Sequence, residues 1–156
     1  MSATAPTDTT AAEEFVAFFA EGWQIGATDP ERFFAHFGAR VTPDARKIQP
    51  LAAEARGPEG LRELFTPVFE AVPDLRVDVL SWGVTAQGVM IEIKLHGTLG
   101  SRPLEWEAVD RIVLRDGLIA ERRSYFDPLP LVASLLKQPR ASAKLVRALI
   151  AGRRRS

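Results

Sequence analysis

The 156-residue chain contains no cysteine. A disulfide framework, a thiolate nucleophile and a thiolate metal site are therefore all excluded. Its two histidines, His36 and His96, are far apart and show no recurring ligand spacing, so no metal centre is expected. No glycine-rich loop follows a strand-like run, which argues against a phosphate-cradling motif, and no cofactor is expected. No apolar run approaches the roughly 18 residues of a membrane-spanning helix. Met1 to Thr10 lack the basic start and apolar stretch of a secretory signal and are expected to form a disordered arm. A cytoplasmic location is the resulting expectation.

Acidic residues are missing from the last part of the chain. All 20 lie at or before Asp127, where 13 basic against 20 acidic residues gives −7; residues 128–156 carry seven basic residues and no acid. Such a tail can contact an anionic surface, or it can be a solvated helix docking on its own acidic body or on a second subunit. The acidic body is a poor platform for nucleic acid. Neither nucleic acid nor a membrane is an expected partner, although the tail could meet anionic surfaces.

Three organisational units follow: an arm over 1–10, a pocket domain over 11–137, and a basic amphipathic tail over 138–156. Thr10-Ala11-Ala12-Glu13 has the form of a capping box, and Phe15, Phe18, Phe19 and Trp23 then recur at helical spacing. Asp29-Pro30 starts a short second helix with Phe33, Phe34 and Phe37 on one side. Val41 to Leu51 suits a short strand and loop limited by Pro50. A third helix spans about 58–72, with Leu61, Leu64, Phe65, Val68 and Phe69 on one stripe. Strands follow at roughly 75–84, 88–98, 104–115 and 118–127. The fold class is α+β: a half-cone of N-terminal helices on a strongly curved antiparallel sheet, plus a C-terminal basic helix.

Arg115-Asp116-Gly117 suits a three-residue hairpin loop that sets Arg111 opposite Glu121 and Val113 opposite Ile119. In that register Trp106, Ala108, Asp110, Ile112 and Leu114 share the covered face with Ala120, Arg122, Ser124 and Phe126. Asp110 is then a carboxylate among apolar neighbours, opposite Arg122. A two-residue loop would place Arg123 and Tyr125 beside it instead. On strand 88–98, Val89, Ile91, Ile93 and Leu95 point one way and Met90, Glu92, Lys94, His96 and Thr98 the other. Apolar content alone assigns the first set to the core.

Gly57 through Leu75, the strand from Val89 to Gly97, the Arg-Asp-Gly turn and the closing Tyr125-Phe126-Asp127 resemble the SnoaL-like branch of the nuclear transport factor 2-like superfamily. The resemblance covers about residues 12–137. It implies a helix-and-sheet half-cone with an internal pocket, the fold of polyketide cyclases, limonene epoxide hydrolase and ketosteroid isomerase, and also of noncatalytic binding proteins. Lys94-Leu95-His96 stands where epoxide hydrolases of this fold carry Arg-x-Asp, and Ser124 where they carry a second Asp. Gln49 stands at the position of the isomerase general base, and Asp110 at its oxyanion-hole Asp, where a protonated carboxyl donates to an enolate.

The family orientation turns Glu92, Lys94 and His96 into the pocket, with Val89, Ile91, Ile93 and Leu95 then covered by a homodimer through the outer sheet face. On that reading His96 is the general base and Asp110 the oxyanion donor or orienting acid. Glu92, Lys94, Gln49, Arg122 and Ser124 are the polar binding groups, and Trp82, Trp106, Phe19 and Trp23 wall the ligand. The implied activity is cofactor-independent acid–base chemistry of isomerase, cyclase or epoxide-hydrolase type on an apolar oxygenated metabolite. The alternative is a noncatalytic small-molecule binding or interaction module. A free His96 within reach of Asp110 would favour the first; charges that merely pair off would favour the second. The tail from Arg140 is expected to be dispensable for the pocket.

Overall fold

A computed structural model describes residues 8–155. In chain order the elements are α1 (Thr9–Ile25), a 3₁₀ turn (Gly26–Thr28), α2 (Pro30–Gly38), β1 (Val41–Ile48), β2 (Ala55–Arg56), α3 (Gly57–Ala71), β3 (Arg76–Thr85), β4 (Gly88–Leu99), β5 (Arg102–Arg115), β6 (Leu118–Tyr125), α4 (Pro128–Lys137) and α5 (Pro139–Arg155). Six strands form one sheet in the order β2-β1-β6-β5-β4-β3. It is mixed rather than wholly antiparallel, because β1 runs parallel to β6. Irregularities in β1, β3 and β6 bend it.

Local chemistry sets the helix starts. The expected arm at 1–10 falls mostly on residues 1–7, outside the described residues. Thr9 and Thr10 already belong to α1, and its cap is Asp8, whose carboxylate accepts from Ala11 N–H at 2.8 Å, not Thr10. Asp29 caps α2 by accepting from Arg32 N–H at 3.2 Å, and Pro30 fills the first turn. Gly57 opens α3 at φ +63°, where an added Cβ would stand 2.6 Å from the Pro43 carbonyl oxygen. Phe15, Phe19, Trp23, Phe33, Phe37, Phe65 and Phe69 bury themselves as one aromatic layer over the sheet.

The β5–β6 hairpin corrects the expected register. Arg115 pairs with Leu118, so the loop is the two residues Asp116 and Gly117, both at positive φ. A bulge then slips β6 by one more residue, so Asp110 faces Ser124 and Ile112 faces Arg122. The two changes together shift the pairing by two residues. Face assignment therefore survives although the expected partners do not, except that beside the turn Ile119 is buried where Ala120 was expected.

Strand β4 overturns the family-derived orientation. Val89, Ile91 and Ile93 are 0% exposed and Leu95 is 6% exposed, all in the chain's own core. Glu92, Lys94 and His96 lie on the outer face. There Glu92 accepts from the Ser81 hydroxyl, Lys94 pairs with Glu105 at 3.2 Å, and His96 Nε2 lies 3.0 Å from Asp78. Burying these four apolar side chains outweighs any gain from turning three solvated polar groups inward. The outer-face homodimer loses its stated reason, since the residues it was to cover are already covered. His96→Ala and Lys94→Ala should each change the unfolding free energy by no more than about 1 kcal/mol, as exposed pairs do, when measured by urea denaturation.

Candidate small-molecule site

A cavity of about 70 Å³ lies between α3 and the concave face of the sheet. α3 lines it with Phe65, Val68 and Val72, and β4 and β5 with Ile93, Leu95, Leu104 and Trp106. Leu131 and Leu135 of α4, with Leu145 and Leu149 of α5, close it. The segment beyond Gln138, expected to be dispensable for the pocket, thus supplies part of its wall. Its basic side chains at Arg140, Lys144 and Arg147 stay exposed on the other side.

Three polar side chains reach the cavity: Gln49, Arg122 and Ser124. Alternation on neighbouring strands brings them together, Lys47 on β1 with Gln49 just past its end, Arg122 and Ser124 along one side of β6, and Asp110 on β5. The Arg122 guanidinium donates from Nε to Asp110 Oδ2 at 2.7 Å, from Nη2 to Oδ1 at 3.2 Å, and from Nη1 to Gln49 Oε1 at 3.1 Å. It also sits 5.5 Å from the Phe65 ring centroid. Asp110 is 0% exposed, with both oxygens engaged by Arg122, so it backs the arginine rather than facing a ligand as an O–H donor. Two guanidinium N–H bonds, the Gln49 amide N–H₂ and the Ser124 hydroxyl make no hydrogen bond to described residues.

A second, smaller cavity of about 30 Å³ adjoins the first, sharing Phe65 and Arg122 as walls. Phe19 and Trp23 line it, so these two expected wall residues serve the smaller space. Trp106 lines the larger one, and Trp82 lines neither; it is 37% exposed near the β3–β4 tip. The smaller cavity also holds Lys47, which sequence reasoning missed. Lys47 is 2% exposed and donates to the Gly57 carbonyl oxygen at 2.5 Å. The available signal was parity, since Lys47 lies two residues before Gln49 in the same extended segment.

Burial, reinforced by the charge of Arg122, depresses the Lys47 pKa to about 8. Below pH 8 the lysine is charged in both states and the full desolvation penalty acts. Between pH 8 and the ordinary 10.5 the folded protein has shed a proton that the unfolded chain retains, so stability rises with pH by up to about 3 kcal/mol from this group. Lys47→Met should be more stable than the parent at pH 7 and lack that increment. Urea midpoints of both proteins at pH 7 and pH 10 measure the difference, and parallel pH profiles would refute it.

The profile of the SnoaL-like domain matches residues 12–122. The chain belongs to the SnoaL-like family. The match ends within β6, so α4 and α5, which close the cavity, lie beyond the matched segment. A protein from Jannaschia sp. CCS1 described as a putative SnoaL-like polyketide cyclase superposes with a TM-score of 0.70 at 25% identity, covering 83% of this chain and 93% of that one. An epoxide hydrolase from M. tuberculosis resembling limonene epoxide hydrolase gives 0.64 at 20% identity, covering 88% and 98%. A protein of ketosteroid isomerase-like fold from Catenulispora acidiphila, solved with trimethylamine, gives 0.65 at 15% identity, covering 77% and 90%. No protein with a curated description matches the sequence. Cyclases and hydrolases thus share this SnoaL-like architecture, and the fold does not select among them. Among the described residues no three His, Asp or Glu side chains gather as a metal site, and no helix is long and apolar enough to cross a membrane.

Proposed function

We propose that this SnoaL-like domain binds a small, mostly apolar molecule bearing a hydrogen-bond acceptor, and that it works as a binding module rather than an acid–base enzyme. The larger cavity is lined by no Asp, Glu, His, Lys or Tyr, and this carries the reading. Acid–base catalysis needs a group that can take up or release a proton beside the reacting part of the substrate, and Lys47 lines only the smaller adjoining space. A guanidinium is a hydrogen-bond donor and not a proton acceptor, and Asp110 behind Arg122 has both oxygens occupied. His96, the expected base, is held by Asp78 on the opposite face. What remains is a recognition end: two guanidinium N–H bonds, an amide and a hydroxyl facing an apolar chamber. A carbonyl, ether or alcohol oxygen would accept from these donors while the body of the ligand displaces water from aliphatic and aromatic walls.

Titration calorimetry with 1-octanol tests the reading. Leu149→Trp, which fills the chamber from α5, should weaken octanol binding by about tenfold or more, since the ligand and the new ring compete for one space. No detectable octanol binding by the parent protein, or equal binding by Leu149→Trp, would overturn it.

A further inference from the structure

Charge inventory behind the recognition end carries a statement about the ligand's head group. Lys47 and Asp110 are the buried ionisable side chains among the described residues, and Arg122, with 12% side-chain exposure, stands between them in the sheet. Asp110 is spent on Arg122. Lys47 has one backbone carbonyl as its acceptor, which leaves two ammonium N–H bonds without a partner among the described residues. The nearby carboxylate Glu121 is on the other face of the sheet, engaged by Arg46, Arg111 and Arg123. Two cations thus face a buried space against one carboxylate, an arrangement that costs free energy unless an anion enters.

We infer that the ligand is an apolar organic acid whose carboxylate seats in the smaller cavity between Lys47 Nζ and the Arg122 guanidinium, with its hydrocarbon body in the larger one. The inference rests on the binding reading above and adds the ligand's charge. Space agrees with it: the smaller cavity, at about 30 Å³, has less room than the larger one at about 70 Å³, which suits a head group in the first and the hydrocarbon body in the second. The walls agree as well. Phe19, Phe33 and Ile112 offer no hydrogen bond and the indole of Trp23 can only donate one, so every polar group named in that lining suits an acceptor and none suits a donor. Lys47 and Arg122 are register partners on the parallel strands β1 and β6, so the backbone holds them side by side. The Lys47 pKa is depressed first by burial and second by the charge of Arg122, the same neighbour across the strand pair.

Calorimetry with octanoate and 1-octanol at pH 7, in the full chain, separates the two claims. The parent protein should bind octanoate at least about tenfold more tightly than octanol, the margin of one charge-assisted contact over a neutral one. In Lys47→Met the preference should fall to about one, whereas Lys47→Arg, which restores the charge, should keep most of it; cooperative melting of both variants verifies their fold. Equal affinity for acid and alcohol in the parent, or an undiminished preference in Lys47→Met, overturns the anion assignment while the cavity reading stands. Failure of both molecules to bind removes the cavity reading itself.

Discussion

Asp110→Asn should lower the unfolding free energy by about 3–5 kcal/mol, with or without ligand. The carboxylate is 0% exposed and meets Arg122 through two hydrogen bonds of 2.7 and 3.2 Å. Asparagine keeps the shape and one acceptor oxygen but removes the charge, leaving a guanidinium in a low-dielectric site beside Lys47. Removing one member of a buried pair costs far more than removing both. For a domain of this length, such a loss lowers Tm by roughly 10 °C or more. The double variant Asp110→Asn/Arg122→Met should recover much of it, because both charges then leave together. Thermal melts of the three proteins make the test. If Asp110→Asn melts within about 2 °C of the parent, the pair is not the structural element described, and a role for Asp110 as a neutral hydrogen-bond donor returns.

How much of this site was legible beforehand differs from residue to residue. Asp110, Arg122 and Ser124 could be placed on one covered face because their strands carry clear alternation, and parity is all that a face assignment needs. Their pairing was not legible. A bulge at Ala120 depends on how β6 meets β1 on its other side, which local sequence does not encode. Lys47 belongs to the short strand and loop limited by Pro50, and nothing in that local sequence marks a lysine as buried. Its burial comes from α3 and the aromatic layer of α1 and α2, packed over it from elsewhere in the chain. The amphipathic spacing of Leu145 and Leu149 was visible, but not the surface they would meet. That surface is the open side of the half-cone, which exists only after β4 and β5 have paired.

Strand β4 teaches the sharper lesson, and Ile91→Glu should display it by abolishing cooperative folding. Were Val89, Ile91, Ile93 and Leu95 the outer face of a dimer, this substitution would yield a folded monomer. The structure instead puts Ile91 at 0% exposure, with Trp82 and Asp110 as its neighbours on β3 and β5. A glutamate there would enter the core and stand directly across from Asp110, so desolvation and like-charge repulsion add. The combined cost should exceed about 5 kcal/mol, comparable to the whole stability of a typical domain. Met90→Glu, one residue away and 39% exposed, is the control, since the same charge on the outer face meets water. Circular dichroism melts with sedimentation velocity distinguish the outcomes: Met90→Glu should melt cooperatively, and Ile91→Glu should show no transition and aggregate or sediment as an expanded chain. A compact, cooperatively melting Ile91→Glu would mean that β4 is turned the other way, with Lys94 and His96 in the cavity after all.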